Sequence, residues 1–177
     1  FDHEGGLRTY LAMGTTIVTH ESNKEYYLDI LFHPGDWHMK PDLLAKFQPM
    51  YMISRRPAPI DTVGKKYAIS DGVRELQVLQ VRDVAYELGD PSYRQGPHSL
   101  DMLMVYLPKE KILFNADLYT PPAQGAVPTA PTNSMRTLFQ NIRLQKLDVT
   151  QHVPAHGRVG TQDEFVKLVG ITTTSRN

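Results

Sequence analysis

Aspartate and histidine residues that could bind a metal ion stand beside strand ends or turns in four places along the chain. Asp2 and His3 lie before two glycines and a short helix. His98 lies in RQGPHSLDM before an apolar strand, Asp117 follows the strand ILFNA, and His156 lies in VPAHGR after another strand. Catalytic side chains concentrate on loops held by a rigid sheet. Two carboxylates and three imidazoles are donors that suit zinc, whose fourth position can hold water.

The spacing of these residues does not by itself distinguish a metal site from ordinary structural roles. A lone histidine near a strand end is more often a surface or core residue than a ligand, and an aspartate after a strand is often a helix cap or a turn residue. The intervals between His3, His98, Asp117 and His156 form no compact motif. Both interpretations therefore stay open on the residues alone.

Composition narrows the class of protein only slightly. Nineteen basic residues balance nineteen acidic ones, so no net charge favours nucleic acid or an anionic membrane. The absence of cysteine excludes disulfides and thiolate metal ligands. No apolar run approaches the roughly 20 residues that span a bilayer. We expect a small-molecule substrate and neither a nucleic-acid nor a membrane partner.

Helical patterns occur at both ends and in the middle of the chain. Helices are predicted in GGLRTYLAMG, in SNKEYYLDILF and in TQDEFVKLVG, where Thr161 and Glu164 have the spacing of a capping box. A further helix is predicted to begin with Asn133 as its cap and to present apolar residues on one face. The segment PPAQGAVPTAPTN before it has the composition of a loop.

Strand patterns alternate with these helices and predict a sheet covered by helices, an α/β fold. Strands are predicted in TTIVTH and DVTQHVPAHG. KKYAIS and VRELQVLQV form a predicted hairpin, because the Asp-Gly between them favours a type I′ turn. DMLMVYLPKEKILFNAD predicts a second hairpin, with strands buried on both faces. Residues 1–171 are predicted to form one domain and residues 172–177 a tail.

Three segments together resemble successive signatures of the metallo-β-lactamase-fold hydrolase superfamily: FDHEGGLRTY, GPHSLDMLMVYLPKEKILFNADLYTPP and VPAHGRVGT. That family has an H-x-H-x-D-H motif after a strand, followed along the chain by single His, Asp and His ligands. The resemblance implies the αββα sandwich of the family. It also implies five metal ligands, which are Asp2, His3, His98, Asp117 and His156.

The resemblance also implies where the sequence stands within the family's domain. The first two histidines of the motif, and the strands before them, are expected to precede Phe1. The chain then resembles the later two-thirds of the domain. A domain without those strands would expose sheet and core surface, which would allow homo-oligomers to form by strand pairing or swapping.

The function implied by the resemblance is a zinc-dependent hydrolase that uses a metal-bound hydroxide on an ester, lactone, thioester or related bond. Asp2 and Asp117 are the expected catalytic residues, as proton acceptor and as bridging ligand that orients the hydroxide. Because Asp117 stands where one antibiotic-degrading branch has cysteine, other hydrolases are favoured, and weak β-lactam hydrolysis stays open. Tyr119, Trp37 and His38 are candidate pocket residues. The alternative is a non-catalytic metal-binding or assembly protein of this fold, or an inactive truncation lacking the first two histidine ligands.

Metal stoichiometry tests the implied ligand set. Two zinc ions are expected in the complete protein, but these 177 residues retain a whole ligand set only for the second, namely Asp2, His3, Asp117 and His156. The first retains His98 and a share of Asp117, and two protein ligands rarely hold zinc against water. We expect at most one tightly held metal ion per chain in elemental analysis after dialysis. Two tightly held equivalents would contradict this.

Overall fold

The chain folds into two units, Phe1–Gly64 and Lys65–Asn177, and each is described by itself. The computed structural model describes residues 6–32, 42–46, 59–82, 101–126 and 130–170. Several residues singled out from the sequence lie outside these ranges, namely Asp2, His3, Trp37, His38, His98 and the tail at 172–177.

The described residues of the first unit include a parallel pair of strands, helices on either side of the first strand, and a short helical turn at 43–46. Its elements are α1 (Leu7–Ala12), β1 (Ile17–His20), α2 (Lys24–Phe32) and β2 (Ile60–Val63), and β1 pairs with β2. These bounds confirm the elements predicted in GGLRTYLAMG, TTIVTH and SNKEYYLDILF. Leu11 of α1 is fully buried.

The second unit is built on a sheet of six strands in sequence order. The strands are β3 (Lys66–Ser70), β4 (Glu75–Gln80), β5 (Leu103–Leu107), β6 (Ile112–Ala116), β7 (Gln151–Pro154) and β8 (Gly160–Thr161). Helix α3 (Asn133–Leu144) lies between β6 and β7, and α4 (Gln162–Gly170) follows β8. All neighbours are antiparallel except β6 and β7, which are parallel because α3 returns the chain to the same end of the sheet. Within the described residues, none of the helices reaches the length and apolarity of a membrane crossing.

The core of the second unit lies between the sheet and helices α3 and α4. Its buried residues come from β4 to β6, from the loop after β6 and from both helices; they include Leu79, Met104, Tyr106, Leu113, Tyr119, Leu138, Ile142, Phe165 and Leu168. The prediction that the second hairpin is buried on both faces is wrong: its side chains alternate, and Phe114 is 39% exposed. Antiparallel strands need apolar cover on only one face.

A buried amide joins α3 to the end of β4. Asn141 is fully buried, and its side chain pairs with both backbone groups of Arg82: Oδ1 accepts from the N–H at 2.9 Å, and Nδ2 donates to the carbonyl at 2.7 Å. Gln145 extends the link by donating to the carbonyl of Gln80 at 3.0 Å. These bonds fix the position of α3, and therefore of the crossover that makes β6 and β7 parallel.

Two local predictions are corrected by side chains that bond to the backbone. β3 and β4 are joined by the four-residue loop 71–74, not by a two-residue type I′ turn. The Asp71 carboxylate accepts from two backbone N–H groups of that loop, at 2.7 and 2.8 Å, and these bonds lower its pKa. The cap of α3 is Thr132, not Asn133: the Thr132 hydroxyl accepts from the N–H of Met135 at 3.2 Å.

The end of α3 is closed by a Schellman motif that has lysine where glycine is usual. Lys146 has a φ of +53°, and the N–H of Leu147 donates to the carbonyl of Ile142 at 3.0 Å. A left-handed conformation costs an L-residue about 1–2 kcal/mol. We expect Lys146→Gly to raise the free energy of unfolding by about 0.5–1 kcal/mol in urea denaturation. This gain is smaller than the strain that is relieved, because glycine also increases the entropy of the unfolded chain.

Lys109→Gly is the matched control, because Lys109 is also exposed but lies outside the left-handed region. The same chemical change should there lower stability by a few tenths of a kcal/mol to about 1 kcal/mol. A loss of stability in Lys146→Gly as large as that in Lys109→Gly would contradict the motif.

Candidate metal centre

Strands β6 and β7 bring Asp117 and His156 to the same edge of the sheet. The two strands are parallel neighbours, and each residue follows the carboxyl end of its strand. The N–H of Ala155 donates to the carbonyl of Ala116 at 3.1 Å, which joins the two strand ends. Nε2 of His156 lies 3.5 Å from Oδ1 of Asp117. Two of the five residues predicted as metal ligands are thus in contact distance.

The separation of these two atoms suits donors that share one metal ion. Oxygen and nitrogen donors at about 2.1 Å from a tetrahedral zinc ion are roughly 3.4 Å apart, close to the 3.5 Å between Asp117 and His156. The carboxylate is 16% exposed, whereas the imidazole is 66% exposed. The pair therefore combines a shielded oxygen donor with a nitrogen donor that solutes can reach.

The backbone beside each of these residues has a left-handed conformation. Ala116, directly before Asp117, has a φ of +47°, and the β6–β7 register shifts between Phe114 and Ala116. Gly157, directly after His156, has a φ of +83°. Irregularities of this kind re-aim a side chain at a strand end and are common beside functional sites.

The remaining predicted ligands are Asp2, His3 and His98, which lie outside the described residues, so their placement stays a prediction. Among residues 6–32, 42–46, 59–82, 101–126 and 130–170, no group of three or more His, Asp or Glu side chains could hold a metal ion. The described part of the chain therefore contributes a pair of donors, not a complete coordination sphere.

A buried chain of hydrogen bonds, which the sequence analysis did not predict, links the two strands to α4. The N–H of Tyr119 donates to Oδ1 of Asn115 at 3.1 Å. Nδ2 of Asn115 lies 3.3 Å from Nδ1 of His152, and Nε2 of His152 lies 2.6 Å from Oε1 of Gln162. Asn115 and His152 are fully buried. The sequence contained one indication of this network, which is that each apolar strand has a polar residue at a position that faces the core.

The partners of His152 determine its protonation state. The amide oxygen of Gln162 can only accept, so Nε2 carries the proton, and Nδ1 accepts from the amide N–H of Asn115. Burial lowers the pKa of His152, and the hydrogen bond to Gln162 partly opposes this. His152 is therefore a neutral residue that positions the neighbouring strands, with both ring nitrogens already engaged.

A salt bridge and a capping box hold the loop after β7 against α4. The guanidinium of Arg158 donates to both carboxylate oxygens of Glu164, at 2.7 and 3.2 Å, and to the carbonyl of Pro122 at 2.9 Å. Chiefly because of Arg158, the pKa of Glu164 is lowered to about 2. The N–H of Thr161 donates to Glu164 at 2.8 Å, and the N–H of Glu164 donates to the Thr161 hydroxyl at 3.2 Å. The predicted capping box is confirmed.

The architecture is the metallo-β-lactamase fold, as comparison with solved structures shows. A metallo-β-lactamase superfamily protein from Sulfolobus tokodaii superposes with a TM-score of 0.55 and 13% identity, over 97% of this chain and 64% of that one. A metallo-β-lactamase from Pontibacter korlensis gives 0.52 and 18%, over 97% and 64%. The rubredoxin:oxygen oxidoreductase of Desulfovibrio gigas gives 0.55 and 14%, over 96% and 40%.

These likenesses confirm the predicted α/β fold class and the resemblance at the level of fold. The chain spans 64% of the length of the first two structures. No protein-family model matches the sequence, and no curated protein matches it by sequence either. Since the fold occurs both in a β-lactamase and in an oxidoreductase, the chemistry has to be argued from the site itself.

Neutral, buried His152 makes stability depend on pH. Because its folded-state pKa lies below the ordinary value of about 6.5, the unfolded chain takes up a proton first as the pH falls. The stability is therefore complete above about pH 6.5 and falls as the pH drops from there toward the folded-state pKa, with a slope of at most about 1.4 kcal/mol per pH unit. Urea denaturation at intervals from pH 7.5 to pH 5 measures this slope.

Two variants distinguish the contribution of His152 to this pH dependence from that of the exposed His156. His152→Gln should be less stable at pH 7.5 and should lose most of the slope, because glutamine does not titrate. His156→Gln should keep the slope, because it leaves His152 and its bonds to Asn115 and Gln162 in place. An unchanged slope in His152→Gln would contradict the assignment.

Proposed function

We propose that this protein is a metal-dependent hydrolase of a small-molecule ester, lactone, thioester or related substrate. Asp117 and His156 would hold one metal ion together with Asp2 and His3, and His98 with a share of Asp117 would belong to a second. The observation that carries the proposal is the 3.5 Å separation of Asp117 and His156 at the carboxyl ends of parallel β6 and β7. The metallo-β-lactamase fold of the chain supports it.

The donor set favours zinc among the common metal ions. A hard carboxylate oxygen and a borderline imidazole nitrogen, without any cysteine in the chain, are a donor pair that zinc accepts. A zinc ion bound there would polarise the substrate's carbonyl oxygen and lower the pKa of a bound water to about 7. Iron accepts the same donors, so the metal content of the protein must be measured together with its activity.

Asp117 has the environment of a residue that orients the attacking water. Its carboxylate is largely shielded, and its position is set by the left-handed Ala116 and by the Asn115 network on the same strand. A carboxylate oxygen held in this way accepts a hydrogen bond from the water and fixes the direction of its attack. His156 is more exposed and lies on the side from which a substrate can approach.

The supporting bonds keep this arrangement rigid before substrate arrives. Asn115 and His152 lie on the two strands that carry Asp117 and His156, and they bond to each other inside the core. Gln162 connects the same network to α4. A pair held in place by buried side chains needs little reorganisation during the reaction, which is the condition for electrostatic catalysis.

Conservative substitutions of the two donors test the proposal. Asp117→Asn and His156→Gln should each weaken zinc binding at least tenfold in competition with a chromogenic chelator. They should also lower kcat/KM by a hundredfold or more on a panel of chromogenic esters, thioesters and lactones, because each change removes a ligand and distorts the site. The assay uses the complete protein, with its metal content measured.

Asp148→Asn is the control, because Asp148 is a surface carboxylate, 70% exposed, paired with Lys111. It should leave metal affinity and activity unchanged. Activity that survives exhaustive chelation would overturn the metal mechanism. Tight zinc binding through Asp117 and His156 without turnover of any panel substrate would support a non-catalytic metal-binding protein instead.

A further inference from the structure

A cleft of about 470 Å³ opens in the second unit, between the loop after β6 and helix α4. Its volume is within the range of small-molecule sites, roughly 300–1,000 Å³. Apolar and polar side chains both line it, chiefly Tyr119, Pro122, Ala123, Arg158, Lys167 and Leu168. Asp117 and His156 are not among the lining residues, so the cleft is distinct from the candidate metal centre.

Tyr119, one of the residues that line the cleft, has a buried hydroxyl without a partner among the described residues. Tyr119 is 1% exposed, and its hydroxyl forms no hydrogen bond with any residue that the structure describes. The ring is firmly held, since it packs edge-on against His152 at 5.3 Å and against Phe165 at 4.7 Å between ring centroids. Leaving such a group unsatisfied is unfavourable. A ligand oxygen in the cleft would relieve this cost.

The charges around the cleft favour an anion. Arg158 and Glu164 neutralise each other in a bidentate pair. Lys167 is exposed, and no described residue forms an ion pair with it. Of the five N–H groups of Arg158, four donate to Pro122, Val159 and the two oxygens of Glu164, which leaves one on Nη2.

We propose that this cleft binds a small carboxylic acid with an apolar body. Its carboxylate pairs with Lys167 and accepts the remaining N–H of Arg158. Its apolar body packs on Pro122, Ala123 and Leu168, and the Tyr119 hydroxyl donates to one of its oxygens. The ligand bridges the loop after β6 and helix α4.

The cleft uses the same two loops as the candidate metal centre but different residues of them. Tyr119 comes two residues after Asp117, and Arg158 comes two residues after His156. A bound carboxylate would therefore contact both loops through residues other than Asp117 and His156. The proposal does not depend on the proposed hydrolase activity, because none of its contacts involves Asp117 or His156.

Binding of matched acids and amides tests the cleft. Benzoate, phenylacetate and 3-phenylpropionate are titrated into the protein by calorimetry and by saturation-transfer NMR, beside their neutral amides. We expect at least one acid to bind with a dissociation constant below about 1 mM, and its amide to bind at least tenfold more weakly. Lys167→Gln should weaken the acid at least tenfold and leave the amide unchanged. Tyr119→Phe should weaken both several-fold.

Two controls make the outcome specific. Lys109→Gln removes an exposed lysine that does not line the cleft, and Asp117→Asn removes a donor of the candidate metal centre; both should bind the acid as the unaltered protein does. Tyr119→Phe should melt no lower than the unaltered protein, because the hydroxyl it removes has no hydrogen-bond partner among the described residues. Failure of every acid to bind at millimolar concentration would overturn the proposal. So would equal binding by Lys167→Gln, or a large fall in Tm for Tyr119→Phe.

Discussion

The hydrogen bonds of His152 to Asn115 and Gln162 are the constraint on which the functional end of the second unit depends. They join β6, β7 and α4 inside a core that is mostly apolar. Buried polar groups are expensive when a partner is lost, so such a network tolerates only one arrangement of the three elements. The edge at which Asp117 and His156 meet is set by that arrangement.

Close packing of two loops adds a second constraint at the same edge. A Cβ at Gly160 would stand 2.5 Å from Cγ of Pro121, and a Cβ at Gly157 would stand 3.0 Å from the methyl of Thr120. Glycine at these positions lets the loop after β7 approach the loop after β6 closely. Ala116 also has a left-handed backbone, but unlike glycine it has a Cβ. Its conformation therefore costs about 1–2 kcal/mol, which the surrounding bonds must offset.

The two loops carry two separate groups of side chains that differ in chemistry. Asp117 and His156 meet at one place, where oxygen and nitrogen donors suit a metal ion. Tyr119 and Arg158, two residues further along each loop, line the cleft beside α4.

The sequence by itself determined most of the helices and strands, the capping box of α4 and the positions of the polar residues at strand ends, because these depend on local periodicity and on residues a few places apart. It did not predict the short strands β2 and β8. Even local features were not fully predictable. Thr132 and Asn133 can both cap a helix, and only the folded backbone selects Thr132. The tertiary structure alone decided that β6 and β7 are parallel neighbours, which brings together Asp117 and His156, 39 residues apart in sequence. It also decided that His152 is a buried, neutral partner of Asn115. Pairing and register join distant segments, and no local pattern encodes which of them will meet.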